Sequence, residues 1–230
     1  MFPQTISKSR NLALLEQAPH ITKEEHEKLL GGCVQFYENK NRKGVFANFI
    51  MERNYMFMMA LWNTGARVSD VCMFRDSDID TRNKCAVFVV NKLSKKDESG
   101  KIIKPVYHKV MLEDSFILAY HEYVKKWNVS GYIFTSYKMR DKDIEAQKPI
   151  LARQVDYFLK DYAKVAGIDK TIHAHLYRHG IAIHMLHSGV PVDFISKFLG
   201  HHSVEVTYTY YAKITPEFAW QHIQDKTRVN

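Results

Sequence analysis

Five side chains of three kinds, Arg67, His175, Arg178, His201 and Tyr210, are spread along this chain in an order that would let each serve a different part of one phosphoryl transfer. A guanidinium is a planar fork that matches two phosphate oxygens. An imidazole donates a hydrogen bond or moves a proton near neutral pH. A tyrosine hydroxyl, with an ordinary pKa of about 10, is a poor nucleophile unless a base is positioned beside it and the charge of the phosphate is already neutralised. Arginines and histidines supply both conditions.

Each residue also has a plainer reading. His175-Leu-Tyr-Arg178-His179 opens a helical pattern, so His175 and Arg178 stand about one turn apart on one face and could touch one anion. Alone, an HxxR pair is equally a basic helix face. Leu199-Gly200-His201 ends a helix on glycine, which exposes the histidine at a loop where catalytic groups are often carried. Tyr210 follows nine positions on, and Tyr208, Tyr210 and Tyr211 alone would read as an aromatic helix face. Arg67 lies in Asn-Thr-Gly-Ala-Arg-Val-Ser-Asp, just past a glycine-terminated helix. Asp70, three positions on, can form an ion pair with it, fix its direction toward an anion, or do both.

These groups need a scaffold, and the pattern predicts an α+β fold, mainly α, with one small antiparallel sheet. Thr22-Lys-Glu-Glu25 is a capping box that opens the first helix. RNYMFMMALWNTG is apolar at helical intervals and stops at Gly65, and VSDVCMF continues as a short helix. CAVFVV reads as a strand, Asp97-Glu-Ser-Gly100 as a turn, and IIKPVYHKVML as the returning strand, giving a hairpin with a basic tip. From Asp114 onward DSFILAYHEYVKKW, ARQVDYFLKDYAKVAG, HLYRHGIAIHMLHSG and PVDFISKFLG are helical, with Gly167, Gly189 and Gly200 as their ends. Thr215-Pro-Glu caps a last helical segment.

Lys and Arg number 33 against 25 Asp and Glu, and the net charge of +8 points to a polyanionic partner, nucleic acid or an acidic membrane surface. No stretch is apolar for the roughly 18 residues of a membrane span, and the first residues lack the apolar core of a signal peptide, so a cytoplasmic protein is expected. Cys33, Cys72 and Cys85 are odd in number and lack CxxC spacing; they read as small buried hydrophobes rather than disulfides or zinc ligands. His175, His179, His201 and His202 invite a metal reading, but no cysteine or carboxylate completes a familiar ligand set.

TGARVSD followed by DSDID, then HAHLYRHGIAIHML, then ISKFLGHHSVEVTYTYYAKI together resemble the tyrosine recombinase, or phage integrase, family over about residues 21–214. The resemblance implies the catalytic-domain fold of that family and a site-specific recombinase that cuts and rejoins DNA. Tyr210 matches the nucleophile that forms a 3′-phosphotyrosyl bond and frees a 5′-hydroxyl. Arg67 and Arg178 match the pair that holds the non-bridging oxygens, His175 the residue that assists proton movement, His201 the position that packs or hydrogen bonds at the phosphate, and Asp70 an acidic support. No metal or other cofactor is then required. The family also places a lysine on the hairpin as general acid. Lys92 takes that place, with Lys95 second and Lys96 close by, while Lys95, Lys96, Lys101 and Lys104 are expected to contact DNA phosphates.

The same resemblance implies double-stranded DNA as partner, a homo-oligomer, a tetramer, assembled on it, accessory DNA-bending proteins, and no membrane. Residues 1–20 read as an extension, 21–214 as the catalytic domain, and 215–230 as a segment that docks on a neighbouring protomer through Phe218 and Trp220. Many members add an N-terminal clamp of about a hundred residues, for which this chain has no room, so weak, salt-sensitive DNA binding is expected. Tyr211 competes with Tyr210 by one position. A type IB topoisomerase would use the same residue types to nick and close one strand, and a DNA-binding regulator could carry them without cleaving.

Overall fold

The computed structural model describes residues 19–201 apart from 42, 140, 141 and 144. They fall in two compact units, residues 21–181 and the described residues on either side, 19–20 with 182–201. The described elements are α1 (Lys23–Asn39), α2 (Val45–Thr64), α3 (Val68–Cys72), β1 (Ile79–Asp80), β2 (Cys85–Val89), β3 (Lys95–Lys96), β4 (Ile102–Lys104), β5 (Tyr107–Met111), α4 (Asp114–Trp127), α5 (Ala152–Val165), α6 (His175–His187) and α7 (Val192–Leu199). The expected α+β, mainly α, architecture is what the chain forms.

The capping box at Thr22 is present in both directions. The Glu25 N–H donates to Thr22 Oγ1 at 3.2 Å and the Thr22 N–H to Glu25 Oε2 at 2.9 Å. Behind it, α1 buries His26, Leu29, Cys33 and Phe36, one stripe at helical spacing. That stripe packs on α2 and α5. Gly32 sets how closely α1 and α5 approach, because a Cβ there would lie 2.6 Å from the Tyr162 carbonyl oxygen.

The central helix is α2, whose last turns are buried on nearly every side and which also packs on α3 and α4. It carries a buried cation, Arg53, that finds a carbonyl and an amide: Nη1 donates to Thr135 O at 2.8 Å and Nη2 to Asn54 Oδ1 at 2.8 Å. Asn54 Nδ2 in turn donates to the Tyr162 hydroxyl at 2.6 Å. The helix begins at Val45, eight residues before the segment read from the sequence. Gly44 precedes it without any side-chain cap, so the start left no local signal. Its end was legible: Gly65 adopts φ 57° and donates to Leu61 O at 3.1 Å.

The hairpin forms, but its returning strand is broken at Pro105, which has no N–H to donate. β2 pairs antiparallel with β5 in the three-stranded order β1-β2-β5, and β3 pairs with β4 as a separate ribbon beyond the break. Between the two pieces Ser94 acts as a clasp. Its hydroxyl donates to Val90 O at 2.8 Å and accepts the Val106 N–H at 2.9 Å. All three cysteines are buried and free, as their composition suggested, and burial pushes the Cys33 thiol up to about 12.

α6 starts against the entry to α1. The Ile21 N–H donates to Leu176 O at 3.3 Å, and Tyr177, fully buried, sets the edge of its ring on His26 at 5.6 Å. His26 stacks on Trp62 at 4.9 Å with the planes 6° apart. Among the described residues of the smaller unit, Ile183, Leu186, Ile195 and Leu199 are the large buried aliphatics, and α7 ends on Gly200 with φ 62°.

Two expected outcomes follow from this packing. Burial lowers the His26 pKa from 6.5 to about 4, so the unfolded chain takes up a proton that the folded chain refuses. Stability contributed by neutral His26 is complete above pH 6.5 and falls as the pH drops toward 4, by up to about 3 kcal/mol. Urea melts from pH 7 to pH 4 should show that extra loss in the wild type and not in His26→Phe; parallel curves would refute it. Gly180→Ala would drive a methyl onto the Ile21 carbonyl oxygen, where only backbone could yield. A destabilisation of about 1–3 kcal/mol is expected in thermal melts, and an unchanged midpoint would contradict it.

Candidate active site

The site is built on the turn that ends α2. Gly65 reverses the chain in a left-handed conformation, Ala66 is buried, and Arg67 becomes the N-cap of α3, its carbonyl accepting the Asp70 N–H at 2.8 Å and the Val71 N–H at 3.0 Å. The Arg67 side chain is 20 % exposed, and its Nη1 lies 4.0 Å from Asp70 Oδ2. That separation is an ion pair but too long for a hydrogen bond, so the guanidinium keeps its donors for another acceptor.

Arg178 reaches the same turn from α6. Its Nη1 donates to the Gly65 carbonyl at 2.8 Å, and the side chain is buried, with 9 % of the residue exposed. The bond is made two residues before Arg67. Two cationic forks a long way apart in sequence are therefore fixed to one reversal of the backbone. His175, one turn before Arg178, is exposed at the first position of α6, with its ring 6.4 Å from that of His173. Of the HxxR pair, the arginine is thus the buried member and the histidine the accessible one.

Asp70 is 2 % exposed, and its carboxylate is occupied on the side away from Arg67. Oδ1 accepts both the backbone N–H of Asn91, at 3.0 Å, and its Nδ2, at 3.2 Å. Lys92 is the next residue. It is exposed in a tight turn in which the Leu93 and Ser94 N–H groups both donate to Val90 O at 3.1 Å. Lys92 therefore belongs to the segment that Asp70 tethers, and Lys95 belongs to the ribbon. Asn91 was not singled out in the sequence, because a lone asparagine after a strand has no signature; only its position next to Lys92 hinted at it.

Lys95, Lys96, Lys101 and Lys104 are all exposed on or beside the ribbon. Lys95 and Lys104 are direct cross-strand partners, a like-charge pairing that disfavours the ribbon on its own and that a bound polyanion would offset. The ribbon is turned at Asp97, whose carboxylate accepts the Ser99 hydroxyl at 2.7 Å and the N–H groups of Ser99 and Lys101 at 3.0 and 2.9 Å. The Ser99 hydroxyl, followed by the backbone donors, holds that carboxyl below its ordinary range.

In the smaller unit, His201 follows the left-handed Gly200, and its N–H donates to Ser196 O at 3.0 Å, the six-to-one bond of a Schellman end. Tyr210, with Tyr208, Tyr211 and the segment 215–230, lies outside the described residues. Among the described residues no three His, Cys, Asp or Glu side chains are grouped as metal ligands would be. No helix among them is long and apolar enough to cross a membrane.

Residues 19–217 match the model of the phage integrase family. The tyrosine recombinase XerA of Thermococcus kodakarensis is 31% identical over 166 residues, which cover 72% of this chain and 52% of the relative. Tyrosine recombinase XerC of Lacticaseibacillus casei is 24% identical over 162 residues, 69% of this chain and 50% of the relative. The chain thus spans about half the length of these curated relatives. The fold superposes on the crystal structure of XerA recombinase with a TM-score of 0.64 at 21% identity, covering 92% of this chain and 65% of that one. It also superposes on the Tn1549 transposon integrase in complex with circular intermediate DNA, with a TM-score of 0.64 at 18% identity, covering 90% and 66%. A family match across most of its length, carried on the scaffold described above, makes this chain a member of the phage integrase family.

Proposed function

We propose that the chain is a site-specific DNA recombinase that cleaves and rejoins strands through a 3′-phosphotyrosyl intermediate. The observation that carries this reading is the convergence of Arg67 and Arg178 on the Gly65 turn, with Asp70 connecting that turn to the segment that bears Lys92. Two preorganised guanidiniums are what a pentavalent phosphorane-like transition state needs, since its equatorial oxygens carry the developing charge. The family match favours this reading over a nicking-closing enzyme or an inactive regulator.

In the proposed reaction the Tyr210 oxygen attacks the scissile phosphorus, with His175 assisting departure of the phenolic proton. Arg67 and Arg178 hold the two non-bridging oxygens, and His201 completes the contacts to the phosphate. The bond from phosphorus to the 5′-oxygen breaks, and Lys92 gives that oxygen a proton, leaving a 5′-hydroxyl. Reversal by a 5′-hydroxyl from another strand rejoins the DNA and frees the tyrosine. One phosphodiester replaces another, so no external energy source is needed. The proton from Lys92 matters because an alkoxide is a very poor leaving group, and a positioned acid contributes about 10²–10⁴-fold.

The exposed lysines of the ribbon, Lys95, Lys96, Lys101 and Lys104, track phosphates along double-stranded DNA, where they position without reading sequence. The like-charge pairing of Lys95 with Lys104, which a phosphate backbone would offset, supports this role. Several solved relatives are DNA complexes, among them XerH bound to its difH substrate. Assembly of several copies on DNA, with residues 215–230 docking on a neighbouring protomer, belongs to the same reading.

Incubating the chain with DNA that flanks its own gene, then denaturing and digesting, should leave a nucleotide on Tyr210, found by mass spectrometry. Tyr210→Phe should abolish the adduct. An adduct on Tyr211 would move the nucleophile by one residue, and sequence-specific binding with no adduct would overturn the reading. Lys92→Ala should slow cleavage by at least about 10²-fold, more than Lys95→Ala; cleavage at the wild-type rate would remove Lys92 from the role of acid.

A further inference from the structure

The Lys92 ammonium can protonate a leaving oxygen only if the turn that carries it is held in place, and the described contacts of that turn fall into two sets. One set lies within the hairpin: the Leu93 and Ser94 N–H groups both close on Val90 O, the Val90 N–H donates to Val106 O at 2.8 Å, and the Ser94 hydroxyl joins Val90 O to the Val106 N–H. These bonds shape the turn but say nothing of where it sits relative to Arg67. The other set runs through a single residue. Asn91 gives both its backbone N–H and its side-chain Nδ2 to Asp70 Oδ1, at 3.0 and 3.2 Å.

Asp70 is almost fully buried, and its other oxygen faces Arg67 Nη1 at 4.0 Å. One carboxylate is thus shared between the arginine that meets the phosphate and the peptide next to the lysine that meets the leaving group. A single N–H bond would locate the Asn91 peptide and leave it free to swing about the bond. The second bond from the same residue removes that freedom, and bonds to an ionised acceptor are the stronger kind.

We propose that Asn91 is a positioning residue for the general acid: its side-chain amide, through Asp70, sets the Lys92 turn relative to Arg67. This rests on the phosphotyrosyl reading given above and adds a residue to it. The consequence is selective. Losing the Asn91 amide should harm leaving-group protonation and spare phosphate binding and nucleophilic attack, because Arg67, Arg178 and Asp70 all remain and the backbone N–H still donates.

That selectivity is measurable with a duplex that the wild-type chain cleaves, made in two forms, with oxygen or with sulfur at the bridging 5′ position of the scissile phosphate. A thiolate, whose conjugate acid has a pKa of about 8.5, leaves without a proton donor, whereas an alkoxide does not. Asn91→Ala should slow single-turnover cleavage of the oxygen duplex by up to about 10²-fold and cleave the sulfur duplex at close to the wild-type rate. Lys92→Ala should behave in the same way with a larger defect. Asn91→Leu, close in shape and lacking the donors, repeats the test should the alanine variant melt early. An equal defect on both duplexes in the folded variants, or wild-type cleavage of the oxygen duplex, overturns the proposal. If Lys92→Ala is rescued by sulfur and Asn91→Ala is not, Asn91 alone is wrong and the reading beneath it stands. If the wild-type chain forms no tyrosyl adduct on any duplex, the reading fails and this proposal fails with it.

Discussion

A hydrogen bond from a buried guanidinium to a turn carbonyl, Arg178 Nη1 to Gly65 O at 2.8 Å, is the contact on which the rest of the site depends. It joins the start of α6 to the end of α2, and Arg67 leaves that turn two residues later. The turn exists because Gly65 accepts φ 57°, a conformation that costs a residue with a Cβ about 1–2 kcal/mol. Asp70 then receives its place from α3, which Arg67 itself starts. A burial constraint is thereby converted into an electrostatic one: two charges that would repel in a flexible loop are held at one turn.

The scaffold holds those charges by burying what lies behind them. α2 is surrounded by α1, α3 and α4, and the Arg53, Asn54 and Tyr162 chain satisfies its buried polar groups. Tyr177, one residue before Arg178, is driven into the core, where burial raises its hydroxyl pKa well above the ordinary value. Among the described residues that hydroxyl and His26 Nδ1 are buried atoms with no hydrogen-bond partner. Each costs stability unless a water reaches it, so the aromatic packing of His26 on Trp62 and Tyr177 must outweigh two unmet polar groups. Rigidity beneath Arg178 is obtained at that expense.

Much of this was legible because local chemistry and global packing agree. The Thr22 and Glu25 box and the glycines at 65 and 200 each name an element boundary by a bond that the nearest residues make themselves, and the periodicity of α4 and α5 names their buried faces. Cys33, Cys72 and Cys85 were assigned to the core from number and spacing, and they are there. What could not be read depends on partners distant in sequence. α2 begins at an uncapped Gly44, the gap left at Pro105 in the returning strand is bridged by Ser94 from the other side of the hairpin, and Asn91 becomes significant only when α3 is folded against the hairpin. The burial contrast within His175 and Arg178 was equally invisible, since both lie on one helical face.

In the proposed reaction the Gly65 turn presents two arginines to one phosphate. A crystal structure of the chain on a duplex that it cleaves, trapped before attack, tests this most directly. Arg67 and Arg178 are expected within about 2.7–2.9 Å of the non-bridging oxygens of the scissile phosphate, with the bond from Arg178 to Gly65 O kept. A phosphate held by the ribbon lysines with Arg178 still buried away from it, or by Arg67 alone, would show that the two arginines do not act together.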